Sequence, residues 1–103
     1  ISWIVTSAKK SPMEVERIFE RTRTQLYANL GEPFRREEFG SLRRLADGEL
    51  RKAVNSNALV LLNEWQINGN TLRFGIPRSL DGEAKLRIYF QPRFSNGLED
   101  SWG

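Results

Sequence analysis

Seven side chains near the end of this chain combine positive charge and amides with an aromatic ring. Gln66, Arg73, Lys85, Arg87 and Tyr89 alternate with apolar residues, and Arg78 and Arg93 lie close by. On an antiparallel sheet, alternation puts such residues on one face, opposite the apolar stripe. A basic face holding an aromatic suits phosphate contacts and base stacking, so nucleic acid, RNA or DNA, is one expected partner. The competing expectation is a solvated face paired to nearby acids.

A second basic cluster is Arg35, Arg36, Arg43 and Arg44, with Glu37 and Glu38 between the two pairs. Local neutralisation is the expected use of these residues, ahead of a phosphate cradle. Arg17 and Arg21 are interleaved with Glu14, Glu16 and Glu20, the pattern of a solvated helical face. Trp102, in a polar tail, either latches onto its own core or anchors a partner, because its ring buries a large area.

Other chemistries are poorly supplied. The chain has no histidine and no cysteine, which removes imidazole acid–base catalysis, thiol nucleophiles, disulfides and zinc ligation by nitrogen or sulfur. No metal and no cofactor are expected. The carboxylate groups Glu14/Glu16/Glu20, Glu37/Glu38 and Glu99/Asp100 sit where nothing raises a pKa toward neutrality. Asp47-Gly48-Glu49 and Asp81-Gly82-Glu83 read as turns, not calcium loops. There is no phosphate-binding glycine loop and no nucleophile elbow.

The composition sets the frame. Sixteen Lys+Arg against thirteen Asp+Glu leave a net charge of +3, and without histidine that small excess carries the pI to about 9.7. Arginine dominates, since only Lys9, Lys10, Lys52 and Lys85 are lysines. Its planar fork suits carboxylates and phosphates alike. At 103 residues the chain fits one domain, read as a compact α+β unit over 1–94 with a tail over 95–103. No apolar run reaches membrane-span length and no signal peptide is legible, so a cytoplasmic protein or part of a larger soluble assembly is expected. A start at Ile1 without methionine reads as a processed product or an excised piece.

The elements that must position these residues follow from periodicity. Residues 1–8 read as a strand. Ser11-Pro12-Met13-Glu14 is a helix start with a capping box, and Val15, Ile18, Phe19, Thr22, Leu26 and Leu30 form one helical face up to Gly31. After a turn at Gly31–Phe34, a second helix is expected from Arg35, with Phe39, Leu42, Leu45 and Ala46 toward the core. Asp47 then caps a third, running to about Asn63. Ala58–Leu62 alternatively reads as a buried strand. Asn68-Gly69-Asn70 marks a hairpin between Trp65/Ile67 and Leu72/Phe74/Ile76. Leu86, Ile88 and Phe90 make a third strand. Pro77 and Pro92 end the last two strands and leave open edges for another chain.

The fold class expected is therefore α+β: an N-terminal strand, two or three helices, then an antiparallel hairpin plus third strand packed on the helices. That order is similar to the layout of RelE-type toxin ribonucleases. The resemblance implies a histidine-free ribonuclease with Arg73, Arg87 and Tyr89 as candidates, although none of that family's local motifs is present. Separately, Glu32-Pro33-Phe34-Arg35-Arg36-Glu37-Glu38-Phe39-Gly40, followed by a helix and a hairpin, resembles the phage-tail baseplate wedge family over mainly residues 30–90. Glu64-Trp65-Gln66-Ile67 departs from the Glu-Pro-Arg of that family. This second resemblance implies a subunit of a larger assembly. With no catalytic constellation in hand, the leading expectation is a non-catalytic binding module. It would hold a protein partner, or further copies of itself, through its arginine-rich surface and strand edges.

Overall fold

Ser11 starts the first helix as its spacing predicts. In the computed structural model, which describes residues 2–5, 11–78 and 84–93, helix α1 runs over Pro12–Leu30. The Ser11 hydroxyl accepts from the Glu14 N–H at 3.3 Å, and the Gly31 N–H closes the other end on the Tyr27 carbonyl at 2.9 Å.

The chain then departs from the helical expectation. Arg35–Phe39 is strand β2, not a helix, and Phe39 is exposed, not core-facing. A 3-10 turn at Leu42–Arg44 follows, then a short helix α2 at Leu50–Asn55. Asp47 lies in a turn before α2, whose N-cap is Glu49. The expected long third helix stops because Asn57 takes a positive φ of 63°, which turns the chain into strand β3 at Val60–Ile67. The apolar run at 58–62 therefore enters a strand.

Asn68 and Gly69, with φ of 53° and 84°, join β3 to β4 (Asn70–Gly75), the two-residue turn that matches strand twist. Strand β5 is Arg87–Gln91. At the start, Ser2–Ile4 forms a three-residue strand β1 beside β5.

The fold is α+β, with an antiparallel sheet in the order β1-β5-β4-β3-β2. Its body is helix-first: α1 precedes the four longer strands β2 to β5, and β1 only extends one edge. The expected strand-led order is corrected on this point, and a strand that was not expected, β2, falls between α1 and α2, while the helices do precede the last three strands. The layout expected from the RelE-type resemblance has no strand between its helices, and β2 is an addition to it.

The sheet face toward α1 holds the core. Phe19 stacks on Phe74 with ring centroids 5.2 Å apart, and Tyr27 meets Trp65 edge-on at 5.7 Å. Val15, Leu42, Ala53, Val54, Leu59, Leu61, Ile76, Ala84 and Leu86 complete it. Gly40, with a φ of +87°, lets the chain turn off β2; a Cβ there would lie 2.3 Å from the Ala58 carbonyl oxygen. Among the described residues no helix is long and apolar enough to cross a membrane.

Candidate protein-binding edge

The hairpin register brings part of the expected basic face together. Arg73 pairs across to Tyr89 on β5 and to Glu64 on β3, while Arg87 lies opposite Gly75. Arg73, Arg87 and Tyr89 thus share the face away from α1, and the half-buried Lys85 just precedes β5. Arg78 lies beyond β4, bonded to the Asn57 side chain. Arg93 lies at the opposite end, its N–H donating to Asn70 Oδ1 at 2.8 Å and its stem against Gly69. Arg78 and Arg93 thus lie at opposite ends of the β4–β5 pair.

Their chemistry is also partly committed. Arg73 Nε donates to Glu64 Oε1 at 2.7 Å, and Glu64 is only 5 % exposed. Tyr89 is likewise 5 % exposed, so its ring is not offered for base stacking. A histidine-free cleavage site would need both groups free to meet a phosphate.

The second basic cluster is divided between two elements. Arg35 and Arg36 occupy successive β2 positions and so point to opposite faces. Arg35 Nη2 lies 2.9 Å from Glu37, and Arg36 Nε lies 3.0 Å from Glu38. Arg43, on the 3-10 turn, pairs with Glu16 of α1, and Arg44 is exposed. Glu38 and Glu16 raise the pKa values of Arg36 and Arg43 by hydrogen bonding first and by charge second. Arg35, Arg36 and Arg43 thus each face a carboxylate.

Sequence reasoning missed how Glu38 is held. It accepts from Arg36, from Arg23 of α1, and from Asn63 Nδ2 at 3.1 Å. Asn63, fully buried, accepts in turn from the Tyr27 hydroxyl at 2.9 Å. Arg23 also lies over the Phe19 ring, 5.0 Å from its centroid. This network ties α1 to β2 and walls a 430 Å³ cleft shared with Glu16, Glu20, Ser41 and Leu42. Arg23 and Glu38 are fifteen residues apart, and nothing in their spacing announces the pair. Among the described residues no cluster of acidic side chains could hold a metal ion.

The edges also differ from expectation. Pro77 and Pro92 follow β4 and β5, but both strands are interior to the sheet; the edges are β1 and β2. The Ile76 N–H donates to the Leu61 carbonyl at 3.0 Å, which fixes the alternation of the ladder. Odd-numbered residues of β3 bond toward β4 and even-numbered ones toward β2. On β2, Arg35, Glu37 and Phe39 therefore bond inward, and the N–H and C=O groups of Arg36 and Glu38 point outward. Among the described residues nothing pairs with that outer side. Phe34 and Phe39 bracket it, 72 % and 66 % exposed.

Trp102 lies outside the described residues, as does the rest of the tail. No family model, curated protein or solved structure matches this chain.

Proposed function

We propose that this chain is a non-catalytic binding module that joins protein to protein, as a subunit of a larger assembly, by strand addition along β2. The observation that carries this reading is the outer edge of β2, which pairs with nothing among the described residues and has an exposed phenylalanine at each end. Main-chain groups of Arg36 and Glu38 would supply affinity, and the two rings would supply the apolar anchors that recognition needs. The network around Glu38 and Asn63 keeps β2 fixed against α1, so little ordering is required on binding.

The neutralised arginines favour protein over nucleic acid. A phosphate backbone draws on unpaired positive charge. Here Arg73, Arg35, Arg36 and Arg43 each face a carboxylate.

The test is the native mass of the protein purified from its source. The expected result is a stoichiometric protein complex, of this chain with itself or with another chain, that Phe34→Ser/Phe39→Ser disrupts. Arrival with bound RNA or DNA, lost steeply as salt rises, would contradict the proposal. So would arrival alone.

A further inference from the structure

We infer that the partner strand is β2 of a second copy of this chain, paired antiparallel about Glu37. This rests on the proposal that β2 is the binding edge and names its occupant. Charged residues on an edge strand usually discourage pairing. Here their order selects one partner.

A two-fold antiparallel pairing sets a residue opposite itself, and full overlap of Arg35–Phe39 centres it on Glu37. Arg36 of each copy then faces Glu38 of the other. Both have outward main-chain groups, so they form the hydrogen-bonded pairs. Arg35 faces Phe39 of the second copy, an arrangement that lays a guanidinium along an exposed ring. Beyond the strand ends, Phe34 comes up against the turn at Gly40 of the second copy, where the chain leaves the strand. The one like-charge contact is Glu37 on Glu37. Each already holds its own Arg35 at 2.9 Å, and Arg35 of the other copy lies on the diagonal. Shifting the centre to Arg36 or Glu38 sets a like pair in the bonded position and shortens the overlap.

The geometry makes a sharp test, because the natural chain contains no cysteine. Glu37 would occupy a non-hydrogen-bonded pair, with Cα atoms about 4.5 Å apart. That lies within the roughly 4.4–6.8 Å range a disulfide accepts. Glu37→Cys also removes the like-charge contact, and the main-chain groups of Arg36 and Glu38 that make the pairing do not depend on its side chain.

The full chain is measured by sedimentation, and Glu37→Cys is oxidised mildly beside Gln66→Cys, an exposed control away from β2. Self-pairing predicts twice the 11.9 kDa chain mass for the natural chain. It also predicts covalent dimer from Glu37→Cys at least about tenfold faster than from the control, by effective concentration. Arg35→Cys/Phe39→Cys, which keeps Phe34 and the outward main-chain groups of Arg36 and Glu38, should cross-link as well, which covers the case in which Glu37→Cys misfolds. A monomeric natural chain overturns the inference, as does a dimer whose Glu37→Cys form cross-links no faster than the control. If a different protein then shields the Arg36 and Glu38 amides, the binding-edge proposal stands and only self-pairing fails.

Discussion

Asn63 donates to Glu38 from a side chain with no solvent exposure, joining the sheet's second strand from its edge to α1's side of the core. Its other polar atom accepts from Tyr27 at 2.9 Å. An amide is the group that can do both, since it carries a donor and an acceptor at one end. Asn63→Ala removes the acceptor of the Tyr27 hydroxyl bond and one of the donors to Glu38. The expected cost is about 2–3 kcal/mol, read as a lower urea midpoint. Asn63→Asp should cost more, because it sets a carboxylate against Glu38. An unchanged midpoint for Asn63→Ala would show that the network does not hold β2 in place.

Arg73 and Glu64 make a second test of buried polarity. Glu64 is nearly buried and Arg73 is its recorded ion-pair partner. Arg73→Met strands a charge, at a cost of roughly 2–4 kcal/mol, the lower end reflecting Arg73's own partial exposure. Arg73→Met/Glu64→Leu should recover much of that loss. Failure of the double variant to recover stability would mean that the pair is not what destabilises the single one.

Two prolines one residue apart distinguish the sides of β2. Arg36→Pro removes an outward N–H, so the domain should stay folded and lose association. Glu37→Pro removes the N–H bonded toward Leu62 and should cost about 3 kcal/mol or more in folding stability. Equal loss of folding in both variants would contradict the ladder alternation.

The pH response should be nearly flat around neutrality. Arg36 and Arg43 have raised pKa values, so what they contribute is complete below the ordinary arginine value and is lost only as pH rises through the raised ones. Both lie beyond the working range, and there is no histidine to titrate. The urea midpoint should not move between about pH 6 and 8. A step there would require a perturbed carboxylate or a titrating amino terminus.

How much of this was legible depends on the element. Ser11-Pro12 through Gly31 announced α1, and Asn68-Gly69 announced the hairpin, because capping and positive-φ turns are local chemistry. The alternation of Trp65, Ile67, Leu72, Phe74, Ile88 and Phe90 placed the core face of the hairpin strands correctly. β2 was illegible because its strand character comes from pairing with β3 and not from apolar alternation. Arg-Arg-Glu-Glu offers ion pairs at i+3, as a helix uses them, and at i+2, as a strand uses them. The sheet selects the second, in Arg35–Glu37 and Arg36–Glu38. The candidate edge is hidden in the sequence for the same reason, although its residues stand out by their charge.

The most direct test of strand addition along β2 is residue-resolved amide hydrogen exchange in the free and associated protein. Arg35, Glu37 and Phe39 should be protected in both, since their amides bond to β3. Arg36 and Glu38 should exchange readily when free and slow by about tenfold or more on association, as their outward groups gain partners. Unchanged exchange at Arg36 and Glu38 in the associated protein, with protection appearing around Arg73 and Arg87 instead, would contradict the account and return the binding surface to the β4–β5 face.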